Sequence, residues 1–316
     1  MRHLLRLAGL YAEVMAKSLN ILVTGGSSGI GYFVAEQLAE AGHRVTIAAR
    51  SPERARAAIA SISQRAQRAP RRQPGFQQLD LASLASIETA AEQLLAGPKL
   101  DVVIANAGVV HHPAVISTSD GYEVFFGTNH LGHFALLARL FPMLQETAGA
   151  RIVHLGSLSH LWAKPRLNAP GSNGWFSNYQ NSKLAVMQFG FELDRRLREH
   201  QLPVHSVVAH PGNSPEQYTP ARPVPAKTAK KSGRLPAALR TLGQPFCQGK
   251  DAGAWPIVHA ASADEVPGGS YWGPAKMFHM VGQPTRQRAA SAAYDRSAAE
   301  ALWTLSATLT GVDFTF

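Results

Sequence analysis

The sequence predicts an α/β fold in which a single doubly wound domain contains a seven-stranded parallel sheet flanked by helices. Short apolar runs alternate along the chain with longer amphipathic stretches, which is the pattern of strands and helices in such a sheet. No internal repeat or linker-like segment interrupts the alternation. With 316 residues, of which 45% are hydrophobic, the chain is long enough to bury a large core in one domain.

Seven short apolar runs are predicted as strands. Because helices separate them, consecutive strands are expected to run parallel, with right-handed crossovers. In chain order the predicted strands are residues 21–23, 45–49, 76–79, 102–105, 151–155, 204–209 and 270–272.

A glycine-rich turn follows the first predicted strand and leads into an amphipathic stretch at residues 32–41. The order strand, glycine-rich turn and helix is typical of nucleotide binding. Glycines let the backbone approach a pyrophosphate, and a helix amino terminus offers unpaired N–H groups. An ordinary glycine-rich turn is the alternative. The residues predicted to contact a dinucleotide here are Gly25, Ser27, Ser28, Gly29, Ile30 and Gly31.

Arg50 stands at the tip of the second predicted strand, where a dinucleotide-binding fold places the adenosine ribose. A carboxylate at this position binds the ribose 2′-hydroxyl, whereas an arginine suits a 2′-phosphate. No Asp or Glu stands at the tip, so the sequence predicts a preference for NADP(H), with NAD(H) as the alternative. The competing interpretation is that Arg50 only begins a solvated helix.

Tyr179 and Lys183 are four residues apart, which places both side chains on one face of a helix. A phenol titrates near pH ~10, and a nearby cation lowers that pKa by stabilising the phenolate. The pair is therefore a candidate acid–base site for interconverting an alcohol and a carbonyl. Taken alone, the same spacing is also common between residues on a helix surface.

These features and five further motifs resemble the short-chain dehydrogenase/reductase family, in particular its retinol-dehydrogenase-like members. The resemblance runs from about residue 19 to residue 213. It departs from the family pattern after Gly212, where Asn213 replaces a usual threonine and Ser214 or Thr219 is the candidate substitute. The matching motifs are the glycines of the first turn, Asp80-Leu81, Asn106-Ala107-Gly108, Asn129 within Asn-His-Leu-Gly-His-Phe, Ser157, the pair Tyr179 and Lys183, and Pro211-Gly212.

The resemblance implies a Rossmann-like domain over residues 19–316 with four catalytic residues. Tyr179 would relay the proton, and Ser157 would hold the substrate oxygen. Lys183 would bind the nicotinamide ribose and favour the phenolate. Asn129 would hold a water that connects the lysine to solvent; a satisfied amide inside a helix is its alternative. The remaining implied cofactor contacts are Asp80 and Leu81 at the adenine, Asn106, Ala107 and Gly108 after the fourth strand, and Pro211 and Gly212 near the nicotinamide.

The implied function is NADP(H)-dependent interconversion of an alcohol and a carbonyl on a small hydrophobic molecule, either free or carrier-bound. A substrate lid is implied at about residues 213–250. Two other functional classes remain open: a lyase, epimerase or dehydratase that uses the same site, and a binding protein that senses NADP without catalysis. The aromatic residues predicted to line an apolar pocket, unless they only pack their loop against the body, are Trp162, Trp175, Phe176 and Tyr218.

Composition limits the cellular context and the partners. The single cysteine, Cys247, excludes an internal disulfide and favours the cytoplasm. His130 and His133 have no third ligand nearby and are predicted to pack rather than to bind a metal. The net charge is +10, and the basic stretch 227–240 either attracts an acidic partner or substrate or is a solvated flap. No nucleic-acid-binding motif accompanies this charge, so no nucleic-acid partner is predicted.

Residues 1–18 are predicted to form an extension with the pattern of a short amphipathic helix. The first interpretation is a mis-called start or an inert extension, the second is a surface helix, and the third is a signal peptide. No run of 18 or more uncharged apolar residues is present, so no membrane span is predicted. A homo-oligomer is compatible with all of these interpretations.

Overall fold

An eight-stranded sheet forms the centre of the protein in the computed structural model, which describes residues 18–65, 73–111, 117–164, 174–223 and 244–316. The strands are β1 (Asn20–Thr24), β2 (Arg44–Ala49), β3 (Gly75–Gln78), β4 (Val102–Ala105), β5 (Ala150–Leu155), β6 (Val204–Ala209), β7 (Tyr271–Lys276) and β8 (Val281–Gln287). In space they follow the order β3-β2-β1-β4-β5-β6-β7-β8. Strands β1 to β7 run parallel, and β8 pairs antiparallel with β7.

The eighth strand corrects the prediction of a seven-stranded, wholly parallel sheet. β8 contains Gly282 and Pro284 and has no fully buried residue, so its sequence lacks the apolar run that identifies the other strands. Proline and glycine are tolerated there because β8 is the edge of the sheet, where only one side of the strand needs backbone partners. Backbone pairing with β7 therefore stabilises this strand although its sequence has low strand propensity.

Helices cover both faces of the sheet. The longer ones are α1 (Gly29–Glu40), α2 (Pro52–Arg65), α3 (Leu84–Leu95), α4 (Gly132–Gln145), α5 (Trp175–Glu199), α6 (Trp255–Ser262) and α7 (Arg296–Thr310). Successive strand residues point to opposite faces, so Ile21 and Val23 pack against α1, α2 and α6, whereas Leu22 belongs to the core under α3, α4, α5 and α7. Both faces are buried, as expected for a parallel sheet.

The sheet grows outward in opposite directions from the neighbouring strands β1 and β4. From β1 the sheet continues to β2 and β3, and from β4 it continues to β5 and β6 on the other side. In open α/β sheets the crevice beyond the carboxyl ends of the strands at such a reversal is the usual ligand site. Thr24 and Ala105 end the two strands, and the predicted residues Gly25 and Asn106 follow them directly.

A π-helical turn precedes α4. The chain is α-helical at Val124–Phe126, π-helical at Gly127–Leu131 and α-helical again in α4. Extra turns of this kind within helices are frequent at functional sites. The predicted catalytic residue Asn129 lies in this one.

Helix α7 and the residues after it cover α4 and α5. The buried ring of Trp303 lies 5.4 Å from that of Phe134 and 5.6 Å from that of Phe189, between ring centroids. Phe314 adds a contact at 5.5 Å to Phe134. The indole N–H of Trp303 donates to Asp313 Oδ1 at 2.8 Å, which holds the residues after α7 against the same core.

Some predictions fall outside the described residues: the structure of the extension 1–17, the middle of the implied lid at 224–243, and the whole basic stretch 227–240 within it. The described parts of the lid region contain short 3₁₀ turns at Glu216–Tyr218 and Gln244–Phe246. Within the described ranges, no helix combines the length and the apolar character needed to cross a bilayer.

Candidate active site

The turn between β1 and α1 opens onto free space at the amino terminus of the helix. Gly29 has φ +63°, and a Cβ added there would have no described atom within 4 Å. Ser28 is the N-cap residue, but its side chain caps no N–H group, and no carboxylate lies in the first turn. This 12-residue helix therefore presents unpaired N–H groups and the positive end of its dipole to the space. These groups fit a pyrophosphate.

Two other glycines of the turn let separate backbone segments pack closely. A Cβ on Gly31 would lie 2.3 Å from Asn106 Nδ2, and one on Gly25 would lie 2.9 Å from Ala107 Cα. Asn106 Nδ2 donates to the carbonyl of Thr24 at 2.7 Å. The hydroxyl of Thr24 accepts the N–H groups of Asn106 and Ala107, each at 3.0 Å. The glycine turn and the Asn-Ala-Gly segment thus form one floor across the crevice.

Arg50 and the Asp80–Leu81 pair lie beyond the ends of β2 and β3. Arg50 follows β2 directly and is exposed, and no carboxylate among the described residues forms an ion pair with it. Asp80 Oδ1 accepts the N–H of Ala82 at 3.0 Å, which shapes the turn after β3. Leu81 is buried. The guanidinium of Arg50 is accessible at the predicted place, and its binding to a phosphate stays a prediction.

Ser157, Tyr179 and Lys183 come together at the carboxyl end of β5. Ser157 is the N-cap of the 3₁₀ turn Leu158–Trp162. The Tyr179 hydroxyl, in the second turn of α5, donates to Ser157 Oγ at 3.5 Å. One turn further along α5, Lys183 Nζ donates to the carbonyl of Leu155 at 2.8 Å. Three residues singled out from distant motifs therefore share one small region of the structure.

Burial dominates the titration of Tyr179. Desolvation raises the pKa of Tyr179, and hydrogen bonds with Ser157 and Ser159 only partly oppose it. Burial also lowers the pKa of Lys183 to about 8. The predicted net lowering of the Tyr179 pKa is therefore wrong for this structure, because desolvation of the phenol outweighs the interactions that lower its pKa. At neutral pH Tyr179 carries a proton that it can donate.

Ser159 is a site residue that the sequence motifs did not identify. Its hydroxyl donates to Ser157 Oγ at 3.0 Å, and its N–H donates to the same atom at 3.2 Å. Tyr179 is a third donor to this oxygen, and because a hydroxyl oxygen has two acceptor lone pairs, the three donors share them. A serine two residues after an N-cap serine is a local signal for such bonding, but only the 3₁₀ turn brings the two hydroxyls together.

His160 fixes the backbone of Ser157. Its Nδ1 donates to the carbonyl of Ser157 at 2.6 Å, and its Nε2 accepts the N–H of Ala290 at 3.1 Å. This pairing of donor and acceptor requires the neutral ring. Burial lowers the pKa of His160, which keeps it neutral. A segment just after β8 is thereby tied to Ser157.

His210 fixes the predicted Pro211-Gly212 turn in the same way. Its Nε2 donates to Gln287 Oε1 at 2.9 Å, and its Nδ1 accepts the N–H of Gly212 at 3.2 Å. Burial lowers the pKa of His210 to about 4. The hydroxyl of Ser214, one candidate for the missing threonine, donates to the Pro211 carbonyl at 2.9 Å. The hydroxyl of the other candidate, Thr219, bonds to backbone groups of Pro215 and Lys250.

The amide of Asn129 is fully paired with the protein. Oδ1 accepts the N–H of Val109 at 2.7 Å, and Nδ2 donates to the carbonyl of Val109 at 3.1 Å and to Ser182 Oγ at 2.9 Å. The Asn129 carbonyl accepts from His133 Nδ1 at 3.0 Å, and His133 Nε2 bonds to the hydroxyl of Thr24 at 2.9 Å. Asn129 therefore links the π turn to Val109 and to α5, and through His133 to the end of β1. Its role in holding a water stays a prediction.

The two histidines of this motif point to different partners. His130 Nε2 bonds to the Ser306 hydroxyl at 2.7 Å, whereas His133 bonds to Thr24 and Asn129. Burial lowers the pKa of His130 to about 3 and that of His133 to about 4. Among the residues that the structure describes, no group of three or more His, Cys, Asp or Glu side chains could hold a metal ion.

The aromatic residues predicted to bind substrate differ in exposure. Trp162 is 65% exposed, Phe176 51% and Trp175 40%. Trp175 and Phe176 precede Tyr179 by about one turn of α5, so all three share one side of the helix. Tyr218 is half-buried in the turn Glu216–Tyr218. Contact between these rings and a substrate stays a prediction.

The sheet is doubly wound, a glycine turn lies at its switch point, and a Ser–Tyr–Lys cluster lies at the end of β5 and on α5. These are together the features of a dinucleotide-dependent α/β enzyme. The chain belongs to the short chain dehydrogenase family, whose family model matches residues 19–215. The protein is therefore an enzyme of an oxidoreductase family.

Two mouse proteins are similar to the chain over most of its length. Retinol dehydrogenase 12 of Mus musculus is 33% identical over 300 residues, which cover 93% of this chain and 87% of the relative. Polyprenol dehydrogenase of Mus musculus is 36% identical over 256 residues, which cover 78% of this chain and 72% of the relative.

Solved structures show the same similarity in three dimensions. An uncharacterized protein from Mycobacterium paratuberculosis superposes with a TM-score of 0.73 at 30% identity, covering 94% of this chain and 95% of that one. The RhlG/NADP active-site complex of Pseudomonas aeruginosa superposes with a TM-score of 0.60 at 26% identity, covering 81% and 94%.

Proposed function

We propose that the protein is an NADP(H)-dependent oxidoreductase that interconverts an alcohol and a ketone or aldehyde on a small hydrophobic molecule. The observation that carries the proposal is the 3.5 Å hydrogen bond from Tyr179 to Ser157, which places a protonated phenol beside a fixed hydroxyl. The glycine turn that fits a pyrophosphate opens at the carboxyl ends of the same parallel strands. The proton donor and the turn that fits a dinucleotide therefore lie at the same edge of the sheet, where one substrate can react with both.

Ser157 orients the substrate oxygen. Ser159 holds its Oγ by two hydrogen bonds, and the Ser157 hydroxyl donates its own hydrogen to the incoming oxygen. Tyr179 gives its phenolic proton to that oxygen in reduction and takes it back in oxidation. A bound nicotinamide supplies or accepts the hydride. Lys183 is largely protonated below its pKa of about 8, and its charge favours the phenolate that the proton transfer leaves.

The substrate is proposed to be lipophilic. Two similar proteins are named as dehydrogenases of retinol and of polyprenol, both long apolar alcohols. Exposed aromatic rings at Trp162, Trp175 and Phe176 provide apolar surface on the segments that flank Ser157 and Tyr179. Catalysis is favoured over cofactor sensing because Asn129, Ser157, Tyr179 and Lys183 are all present.

The Tyr179→Phe variant tests the proposed reaction. It removes the transferred proton and little else, so NADPH-dependent reduction across a panel of hydrophobic ketones and aldehydes is expected to fall about 1,000-fold. The dissociation constant for NADPH, measured by fluorescence titration, is expected to stay within about threefold. Tyr122→Phe is the matched control, because it removes a phenol that bonds to the Leu309 carbonyl.

Near-normal reduction by the Tyr179→Phe variant would refute the role of the phenol. Conversion of a substrate without net consumption of NADPH would instead favour the lyase, epimerase or dehydratase alternative. Wild-type protein that binds NADPH but converts nothing in the panel would favour the sensing alternative.

The preference for NADP(H) rests on Arg50. Its exposed guanidinium follows the tip of β2, and a similar solved protein is an NADP complex. In an Arg50→Asp variant the carboxylate suits a ribose 2′-hydroxyl, so the ratio of kcat/KM for NADPH to that for NADH is expected to fall about tenfold or more. Arg56→Asp, at an exposed position one turn into α2, makes the same change of charge as a control. An unchanged ratio in the Arg50→Asp variant would remove Arg50 as the reader of the phosphate.

A further inference from the structure

Glu36 is a buried carboxylate in α1, the helix whose amino terminus fits a pyrophosphate. Its side chain is only 3% exposed. A buried carboxylate needs strong partners, because the charge has lost its contact with water. Glu36 has three: the hydroxyl of Tyr32 at 3.0 Å and the guanidinium groups of Arg65 and Arg222.

Arg222 makes the stronger of the two ion pairs. Its Nε donates to Glu36 Oε1 at 2.8 Å and its Nη2 donates to Glu36 Oε2 at 3.0 Å, which is a two-pronged pair. The guanidinium also lies 5.0 Å above the ring of Phe33, one turn earlier on α1. Only 14% of the Arg222 side chain is exposed. Bonding to Glu36 raises the pKa of Arg222, so the charge is retained.

Arg222 belongs to the segment 211–222, which begins at the Pro211-Gly212 turn. Ser214 in this segment packs against Gly253, because a Cβ on Gly253 would lie 2.3 Å from Ser214 Oγ. The same Cβ would lie 3.2 Å from Ile30 Cδ1, in the first turn of α1. One face of α1 therefore contacts Arg222 of this segment directly, at Phe33 and Glu36, and approaches Ser214 through Gly253, at Ile30.

We propose that Glu36 and Arg222 are positioning residues for the cofactor site. The ion pair holds the segment 211–222 against α1, so that the Pro211-Gly212 turn stays at a fixed distance from the amino terminus of the same helix. A dinucleotide that reaches from that helix to the turn then binds to two surfaces that are already correctly spaced, so no free energy is spent on ordering them. This inference rests on the proposed function, because it assumes that a dinucleotide is the ligand.

Arg65 provides the matched comparison. Its Nε lies 3.0 Å from Glu36 Oε1, so it is a second cation on the same carboxylate. It comes from the end of α2 and is 47% exposed. Replacing Arg65 or Arg222 by glutamine removes one positive charge from the protein in either case. Any general weakening of the attraction for an anionic cofactor is therefore shared by both variants.

The experiment compares Arg222→Gln, Arg65→Gln, Glu36→Gln and the double variant Glu36→Gln/Arg222→Gln with wild type. NADPH dissociation constants come from fluorescence titration, and amide hydrogen exchange of residues 214–222 is measured on the protein without cofactor. Arg222→Gln is expected to raise the dissociation constant about tenfold and to speed exchange in this segment by a similar factor. Arg65→Gln is expected to change both less than about twofold.

The double variant is expected to raise the NADPH dissociation constant and speed exchange no more than Arg222→Gln alone, because the two residues act as one pair. At saturating NADPH, kcat is expected to stay within about threefold of wild type, since neither residue touches the reacting groups. Equal effects of Arg222→Gln and Arg65→Gln, or no effect of Arg222→Gln on exchange, would overturn the inference. Wild-type protein that binds neither NADPH nor NADH would overturn the proposed function, and the exchange data would still decide whether the pair holds the segment.

Discussion

The cofactor side and the catalytic side of the sheet hold their functional groups by different means. Around β1 and β4, the floor of the crevice is closely packed backbone joined by the side chains of Thr24 and Asn106, and the glycines at 25 and 31 permit this packing. Around β5 to β8, Ser157 is held by the nearby side chains of Ser159 and His160, and His160 is in turn bonded to the distant backbone of Ala290. The first arrangement leaves no room for a side chain, whereas the second depends on particular hydrogen bonds.

Acid is expected to destabilise the protein through its buried histidines, and this is the largest effect. His154 and His210 are buried in or just after β5 and β6, and His130 and His133 in the π turn and α4, all with pKa values of about 3 to 4. Their folded-state pKa values are lowered, so the unfolded chain takes up protons near pH ~6.5 while the folded protein does not. The stability that this difference gives is present above pH ~6.5 and is lost as the pH falls towards 4.

Each of these histidines contributes up to about 3 kcal/mol to the fall, so the free energy of unfolding is expected to drop by several kcal/mol. Urea unfolding at intervals from pH 7.5 to pH 4.5 measures it. His154→Gln is expected to make the dependence on pH shallower, and His205→Gln, at an exposed position in β6, is the control. An unfolding free energy that does not change over this range would show that the buried rings titrate normally.

Gly31→Ala probes the cofactor side. The added methyl would lie 2.3 Å from Asn106 Nδ2 and 2.6 Å from the Gly25 carbonyl, so the turn has to move. We expect a loss of about 2–3 kcal/mol in unfolding free energy and loss of NADPH binding. Gly174→Ala is the control, because no described atom lies within 4 Å of the added methyl. Equal thermal stability of the two variants would contradict the close packing of the crevice floor.

Ser159→Ala probes the catalytic side and has the smallest effect. It removes one of three donors to Ser157 and leaves the backbone N–H bond in place. We expect kcat to fall about tenfold, with the NADPH dissociation constant unchanged. Ser262→Ala, which removes a hydroxyl bonded within α6, is the control. A Ser159→Ala variant with normal kcat would show that Ser157 needs no such support.

The same difference explains which features the sequence could predict. Glycine spacing and the motifs at strand ends locate the crevice, because local backbone geometry requires those residues. Tyr179 and Lys183 are predictable because one helix places them on one face. Ser159 and the link from His160 to Ala290 are not, because they depend on how a 3₁₀ turn and a distant segment pack.

Two further differences arise from tertiary packing. β8 forms although its sequence contains glycine and proline, because β7 supplies its hydrogen-bond partners. The pKa of Tyr179 is raised and not lowered, because desolvation outweighs the hydrogen bonds to the phenol. Spacing along a helix indicates that a cation is near a phenol, but it does not report how much water surrounds them.

The aromatic cover formed by Trp303 and Phe314 has a consequence for how the protein is made. The rings that it buries, Phe134 and Phe189, belong to helices translated much earlier. While the ribosome is still producing the later part of the chain, α7 is not yet present to cover those rings. They are then exposed to the apolar surfaces of other proteins. Nascent chains stalled before α7 should therefore bind chaperones and aggregate more readily than chains released after it.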